Sequence, residues 1–243
     1  MSANLEISRQ GRLLEIALNR PEKRNALNLA LCRELVSAID AGGADPGIGA
    51  ILLSGKGKSF CAGMDLNEIT ADLVDLHEQL FTTVFRLNKP LIAAVHGAAL
   101  AGGTGLVANA HVAIASEDAT FGLTEIRIGL WPFLIFRSVT LAIGERRAIE
   151  LSLTGRIFGT TEAQAWGLVH QVMPAADLLE RSREIASAIA SASPAAIQSG
   201  LRYVREARTQ SWAEAGRLAA RARGEIFRSP EFQEKLRVFR EKK

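Results

Sequence analysis

The sequence has little of the residue types from which metal sites and disulfide frameworks are built. Two cysteines, Cys32 and Cys61, and four histidines occur among 243 residues. Two cysteines are too few for a disulfide framework, and no histidine has a partner at the spacing typical of metal ligands. We therefore expect no metal, and the cysteine content is consistent with a reducing compartment.

Long apolar runs are also missing. No stretch of about 18 uncharged apolar residues occurs, and the first residues lack the basic and then apolar pattern of a signal peptide. We therefore expect a cytoplasmic protein that does not enter a membrane. Hydrophobic residues still make up 48% of the chain, which is enough for a substantial core in one domain.

The charge is unevenly distributed along the chain. Residues 180–243 hold 14 Lys and Arg against 8 Asp and Glu, whereas residues 1–179 hold 15 against 18. A basic face can attract nucleic acid, a membrane surface or a ligand rich in phosphate, and it can also be a solvated helix face. We favour the solvated face, expect no DNA partner, and keep RNA binding as a lesser alternative.

Hydrophobic periodicity predicts alternating strands and helices, followed by a helical half. A hairpin is predicted over 5–8 and 13–18, a helix over 27–41 that Gly42 and Gly43 end, and strands over 50–54, 91–95 and 111–115. Beyond Pro132 helices dominate, and only 168–172 has strand character. Units that each expose one apolar face must stack, so the pattern predicts a layered α/β core in one domain, residues 1–243.

Two turns rich in small residues each follow an apolar strand. Residues 96–105, His-Gly-Ala-Ala-Leu-Ala-Gly-Gly-Thr-Gly, lead into a helix, and residues 58–66 follow the strand 50–54. The spacing is not that of a nucleotide-binding P-loop. Glycines at a helix start let a ligand oxygen approach free backbone N–H groups, or they let the helix pack tightly on the sheet. Two such turns can converge on one oxygen.

The sequence Phe-Cys-Ala-Gly-Met-Asp-Leu at 60–66, followed by the glycine-rich run, resembles the crotonase superfamily of enoyl-CoA hydratases and isomerases. The resemblance extends from residues 19–27 to residues 239–242. It implies a spiral of ββα turns over 1–190 and a helical extension over 191–243 that forms trimers, often paired into hexamers. It also implies an acyl-CoA thioester substrate and no cofactor besides the coenzyme A of that substrate.

The resemblance assigns the chemistry to three residues. The backbone N–H groups of Met64 and Gly102 match an oxyanion hole, and Glu125 matches one of two catalytic glutamates. The apolar neighbours of Glu125 predict a raised pKa if they line a pocket, although an ion pair with Arg127 is the simpler alternative. The second glutamate position holds Gly105. One acid/base group suffices to move a double bond, so the resemblance favours a Δ3 to Δ2 enoyl-CoA isomerase, with hydration as the alternative.

The remaining candidate residues concern substrate binding. Matching positions lie beside the nucleotide of coenzyme A or in the acyl pocket, and Asp65 is expected to start a helix and brace its turn. These candidates are Lys23, Arg24, Ala26, Lys58, Ala62, Asp65, Trp131, Phe133 and Lys242.

Two further functions stay open at this point. Cys61 at a helix start could act as the nucleophile of a CoA thioesterase. A non-catalytic protein that binds CoA or RNA through its basic C-terminal helices is the other alternative.

Overall fold

The chain opens with the antiparallel hairpin that its alternating residues predict. The computed structural model describes residues 4–241, so Lys242 lies outside the described residues. Strand β1 (Leu5–Gln10) pairs with β2 (Leu13–Leu18), and Gly11 makes the turn between them with a φ of 58°. A residue without Cβ adopts this conformation at little cost.

Within residues 4–241, the main sheet contains this hairpin and four further strands, β3 (Ala50–Gly55), β4 (Leu91–Val95), β6 (Val112–Ser116) and β9 (Gln171–Met173). Their order in the sheet is β1-β2-β3-β4-β6-β9. From β2 onward the neighbouring strands are parallel. A second sheet of three short strands contains β5 (Ala98–Leu100), β7 (Thr120–Gly122) and β8 (Ile157–Gly159).

Seven helices accompany these strands in the described part of residues 4–190. They are α1 (Leu29–Ala44), α2 (Ala71–Arg86), α3 (Gly102–Asn109), α4 (Phe133–Ile143), α5 (Glu145–Thr154), α6 (Thr160–Trp166) and α7 (Ala175–Ala190). Short 3₁₀ segments cover Pro21–Lys23 and Thr124–Ile128.

The main sheet is covered on both faces. Ile51 and Leu53 of β3 belong to the larger core together with residues of α1 and α2, whereas Leu52 packs on the opposite face with Leu178 of α7. Strands of a parallel sheet that are buried on both sides read as continuous apolar runs, which is the pattern of β3 and β4.

The differences from the sequence prediction include one helix end and one short strand. Helix α1 does not end at Gly42 but continues to Ala44, because Gly42 is buried and leaves room for Leu14 and Ile51 of the sheet. Here glycine serves close packing of a helix on a sheet rather than helix termination. Strand β8, which pairs with β7, is absent from the sequence prediction. A strand of three residues is too short to show a detectable alternation of apolar and polar residues.

The last residues form a second compact unit, with the boundary between Ala190 and Ser191. Its helices are α8 (Pro194–Ala207), α9 (Trp212–Arg228) and α10 (Pro230–Glu241), and none of them contains a buried residue. Several basic residues of this unit form ion pairs, among them Arg202 with Glu225 and Lys235 with Glu231. These pairs neutralise part of the basic surplus on which the RNA-binding alternative depends. In residues 4–241, no helix combines the length and apolar character needed to span a membrane.

Candidate active site

Backbone pairing holds the two turns of small residues side by side. The Cys61 amide donates to the Ala98 carbonyl, and the Cys61 carbonyl accepts from the Leu100 amide, both at 3.0 Å. Phe60 likewise donates to His96 at 2.9 Å. The segment that follows β3 therefore lies alongside β5, the strand that precedes α3 in the chain.

Glycine at position 103 makes this approach possible. A Cβ built on Gly103 would overlap the Cys61 carbonyl oxygen and would lie 3.0 Å from the Cys61 carbonyl carbon. One interpretation of the sequence is that Gly102 and Gly103 lack side chains so that a ligand can approach their backbone. For Gly103 the alternative of tight packing is correct, because the backbone of the neighbouring turn occupies that space.

Several backbone amides at this junction have no hydrogen-bond partner within the described chain. Among them are the amides of Met64, next to Gly63 with its φ of 95°, and of Gly102, the first residue of α3. The turns are in contact, since a Cβ on Gly63 would lie 3.5 Å from the Gly102 nitrogen. Ala101 precedes Gly102 and has a φ of 49°, a backbone conformation that residues with a side chain rarely adopt. Such strain is typical of sites where the backbone itself contacts a ligand.

Both turns open into an apolar cavity of about 360 Å³. Six of the predicted site residues line it: Met64, Gly102, Glu125, Ala62, Trp131 and Phe133. The Phe133 side chain is 73% exposed, which places it at the cavity mouth. Apolar side chains from α2, α4 and the segment 128–135 supply most of the remaining wall. The cavity therefore brings two free amides and one carboxyl group into a wall that is otherwise mostly apolar.

Glu125 lies in the 3₁₀ segment that follows β7, and its carboxyl group is largely buried. Its Oε2 atom has no hydrogen-bond partner, and no ion pair with Arg127 is present among residues 4–241. Burial raises the pKa of Glu125 from 4.5 to about 7, although a hydrogen bond from its own backbone acts in the opposite direction. A carboxyl group with a pKa near neutrality can both remove a proton and return it.

No second carboxylate lines the described cavity, and the position where one was expected is packed. A Cβ on Gly105 would overlap the Ile135 side chain and would lie 3.1 Å from the Phe81 ring. The space beyond Gly105 is thus filled by apolar atoms from α4 and α2. A longer side chain at this position needs a smaller residue at position 135.

Apart from Ala62, the predicted contacts to coenzyme A do not line the cavity. Lys23 and Arg24 are exposed, and the Arg24 carbonyl accepts from the Ala62 amide at 2.9 Å. The Ala26 amide donates to the Lys23 carbonyl at 3.1 Å. Lys58 is exposed on the neighbouring loop, where its carbonyl lies against Gly97. The cations therefore lie on neighbouring loops, while the Ala26 and Ala62 amides are occupied within the protein.

Asp65 does not start a helix, which corrects the sequence prediction. Helix α2 begins six residues later, at Ala71, with Thr70 as its N-cap. Asp65 accepts hydrogen bonds from Asn67 and pairs with Arg20 at 3.2 Å. Burial alone would raise the pKa of Asp65, but these bonds from Asn67 and Arg20 hold it below its usual value. Its carboxylate braces the turn that carries Met64 and faces protein partners rather than the cavity.

Cys61 is excluded as a nucleophile by its surroundings. Its side chain is fully buried, it does not line the cavity, and burial raises its pKa to about 12. Nucleophilic cysteines need an accessible thiolate. The thioesterase alternative based on Cys61 is therefore wrong.

Sequence reasoning missed two residues with polar side chains in the cavity wall, Thr124 and His77. His77 has no histidine partner at the spacing typical of metal ligands. Helical spacing with the buried Leu73 and Phe81, four residues to either side, is the signal that places it on the inner face of α2. Its Nε2 atom is buried without a hydrogen-bond partner, a situation that costs about 1–3 kcal/mol.

Comparison with known proteins identifies the family to which this fold and cavity belong. The family model described as enoyl-CoA hydratase/isomerase matches residues 8–243. The chain belongs to the enoyl-CoA hydratase/isomerase family. The crotonase fold expected from the sequence is confirmed, because the crystal structure of an enoyl-CoA hydratase from Mycobacterium smegmatis superposes with a TM-score of 0.94 at 29% identity. That alignment covers 99% of this chain and 97% of the other.

Curated relatives of the enoyl-CoA hydratase/isomerase family carry hydratase names. The chain is 39% identical over 214 residues to the 2,3-dehydroadipyl-CoA hydratase of Escherichia coli K12, covering 84% of this chain and 82% of that protein. It is 34% identical over 252 residues to the enoyl-CoA hydratase EchA19 of Mycobacterium tuberculosis, covering 98% and 93%. Members of the family act on acyl-CoA substrates, so this chain is an enzyme of acyl-CoA chemistry.

Proposed function

We propose that the protein moves a double bond of an enoyl-CoA from the Δ3 to the Δ2 position, with Glu125 as its single acid/base group. The observation that carries the proposal is the packing at Gly105, where Ile135 and Phe81 leave no room for a second carboxylate. Hydration needs one group to activate water and another to protonate carbon. Isomerisation needs one group that removes a proton and returns it two carbons further along.

The mechanism follows from the placement of these groups. The Glu125 carboxylate removes a proton from C2 of the 3-enoyl thioester, and the electron pair of that C–H bond moves toward the carbonyl oxygen. The resulting dienolate oxygen accepts hydrogen bonds from the Met64 and Gly102 amides, each donor being typically worth about 2.7–4 kcal/mol in the transition state. Glu125 then donates the same proton to C4, and the double bond forms between C2 and C3.

Coenzyme A phosphates need cations at the cavity mouth. Lys23, Arg24 and Lys58 lie on the loops that flank the Met64 turn, and we assign the nucleotide of the substrate to them. Arginine and lysine bind phosphate by charge-assisted hydrogen bonds. Lys242 belongs to the same proposal as the tail position that reaches a neighbouring subunit's ligand, based on the family resemblance alone.

Hydration is the second candidate, because relatives of this chain carry hydratase names. One experiment separates the two reactions. We expect the wild type to isomerise 3-enoyl-CoA at least about 10²-fold faster than it hydrates 2-enoyl-CoA, since a missing acid/base group costs 10²–10⁴ in rate. The double variant Gly105→Glu/Ile135→Ala is expected to gain hydratase activity, because the alanine opens space beside position 105. Formation and loss of the conjugated enoyl thioester are followed by its absorbance.

The single variant Ile135→Ala is the control for the change in packing. It should leave the ratio of the two activities near the wild-type value. A wild type that hydrates faster than it isomerises would contradict the proposal and establish the hydratase function instead.

We propose that the second unit mediates assembly into a trimer, or a hexamer of two trimers, as family resemblance suggests. Its three helices have no buried residue, yet they carry exposed apolar side chains such as Val204, Phe227 and Phe239. Exposed apolar faces of this kind are typical of surfaces that a partner covers. Analytical ultracentrifugation is expected to give a mass of three or six chains, and a monomer at micromolar concentration would refute the proposal.

A further inference from the structure

Six large apolar side chains line the cavity and are exposed to solvent at the same time. Their exposed fractions range from 38% to 73%, so they form the rim of the cavity rather than part of the packed core. An exposed apolar surface of this kind is typical of a place that a ligand or a partner covers. We call these residues the collar: Leu66, Val74, Ile128, Leu130, Phe133 and Leu134.

Helix α2 shows that the collar continues the wall of the reaction site. Phe81, His77 and Val74 all line the cavity, and their exposed fractions rise in this order from 3% through 6% to 56%. The Phe81 ring lies 3.2 Å from the position of a Cβ on Gly102, whose amide is proposed to bind the thioester oxygen. Val74 precedes Phe81 by seven residues, which is about 10 Å along the helix at 1.5 Å per residue.

This distance sets the length of acyl chain that reaches the collar. An extended hydrocarbon chain advances about 1.25 Å per C–C bond, given a bond length of about 1.5 Å and a bond angle near 111°. About eight bonds therefore span the wall from the thioester to Val74. A shorter acyl chain ends inside the cavity and leaves the collar exposed to water.

The cavity wall offers no partner for a charged acyl chain. Within residues 4–241, no lysine or arginine lines it. Burial lowers the pKa of His77, so this ring adds no positive charge at neutral pH. The cations that we assign to coenzyme A lie elsewhere, since the loop of Arg24 adjoins the cavity at Ala62, whose amide donates to the Arg24 carbonyl. A carboxylate without a cationic partner is strongly disfavoured in such a wall.

We infer that the collar binds the distal part of a long, uncharged acyl chain, which passes along α2 and leaves the cavity over Val74 and Phe133. The inference rests on the acyl-CoA chemistry of the proposed function and names its substrate class, acyl chains longer than about eight carbons without a terminal charge. The occupant is the substrate itself, because the collar is continuous with the wall beside the Gly102 amide. Val74 and Phe133 are then specificity-determining residues, since they contact carbons that shorter chains lack.

Calorimetry with saturated acyl-CoA thioesters, which cannot react, tests this inference. A methylene group that leaves water completely is worth roughly fourfold in affinity, and the collar covers a chain from one side only. We therefore expect the wild type to bind the C14 thioester at least about tenfold more tightly than the C8 thioester. Val74→Ser/Phe133→Ser should reduce this ratio to less than about threefold. Leu153→Ser, which removes a comparably exposed apolar side chain outside the cavity, should keep the ratio.

A second pair of ligands tests the exclusion of charge. A six-carbon thioester that ends in a carboxylate places this charge inside the cavity, short of the collar. We expect it to bind at least about 10²-fold more weakly than the plain six-carbon thioester, because the carboxylate loses its water and gains no cation. Similar affinities of these two ligands would show that the wall accepts a charged chain, which contradicts the inference.

The chain-length series also separates this inference from its alternatives. Wild-type affinity that stops rising at about eight carbons overturns it, and so does a C14 to C8 ratio that the double variant keeps. If the double variant keeps that ratio and instead has a lower mass in analytical ultracentrifugation, a second copy of the chain covers the collar. A rise with chain length in an enzyme that hydrates rather than isomerises removes the proposed function and leaves this inference in place. Failure of every acyl-CoA to bind removes both.

Discussion

The variant Glu125→Gln is expected to lose turnover by about 10²–10⁴, the usual contribution of a positioned acid/base group. Glutamine keeps the shape of the side chain but can neither remove nor return a proton. Because no other carboxylate lines the described cavity, no neighbouring group can take over this step. Substrate affinity should change little, since the Met64 and Gly102 amides are untouched.

The same variant is expected to be more stable than the wild type above neutral pH. The pKa of Glu125 rises from 4.5 to about 7 on folding, so the folded protein binds this proton more tightly than the unfolded chain. Ionisation of Glu125 therefore lowers the free energy of unfolding. This loss of stability is absent below about pH 4.5, grows as the pH rises from about 4.5 to about 7, and is complete above about pH 7. A shift of this size corresponds to about 3 kcal/mol, and its removal should raise Tm by roughly 5–10 °C at about pH 8.

Thermal unfolding and steady-state kinetics of the same preparations check both effects. Glu78→Gln is the matched control, because Glu78 is exposed on α2 and its replacement removes the same charge. The control should keep full activity and gain no comparable stability at high pH. Turnover of Glu125→Gln within tenfold of the wild type would take the acid/base role away from Glu125.

The sequence predicts those parts of the fold and site that depend on local pattern. Alternating residues predict the opening hairpin, and helical periodicity predicts that helices dominate beyond Pro132, where α4 and α5 lie. The apolar residues around Glu125 predict a desolvated carboxyl group, which the raised pKa confirms. In each case the information lies within a few residues along the chain.

Features that depend on distant contacts were not predictable in this way. Strand β8 exists because it pairs with β7, more than thirty residues earlier. Glycine at 42 looked like a helix end, but its role is to admit Leu14 from another strand. Gly105 indicated only that a carboxylate was missing, and the structure shows that Ile135 occupies the space. The helical spacing of apolar residues in α2 predicts that His77 faces inward, but only the structure shows that its Nε2 atom lacks a hydrogen-bond partner.

The variant Gly103→Ala is expected to destroy the site by separating its two turns. The added methyl group would overlap the Cys61 carbonyl oxygen, which is rigid backbone already bonded to the Leu100 amide. Relief of this overlap must move the turn carrying Met64 away from α3. Loss of one oxyanion donor costs about 10²–10³ in kcat, and overpacking of this kind costs about 1–3 kcal/mol of stability.

A milder variant keeps this prediction testable if Gly103→Ala folds poorly. Gly102→Ala introduces a methyl group whose two tight contacts are with side chains, Leu27 at 3.1 Å and Phe81 at 3.2 Å. The nearest backbone atom, Gly63 Cα, lies at an ordinary 3.8 Å, so the backbone pairing of the turns is preserved. Gly159→Ala is the control for the substitution itself, because nothing lies within 4 Å of its Cβ position. We expect activity to decrease from Gly159→Ala through Gly102→Ala to Gly103→Ala, measured per folded molecule by circular dichroism and kinetics. If Gly103→Ala is folded and retains full turnover, the two amides do not act together on one oxygen, since their separation would then leave the rate unchanged.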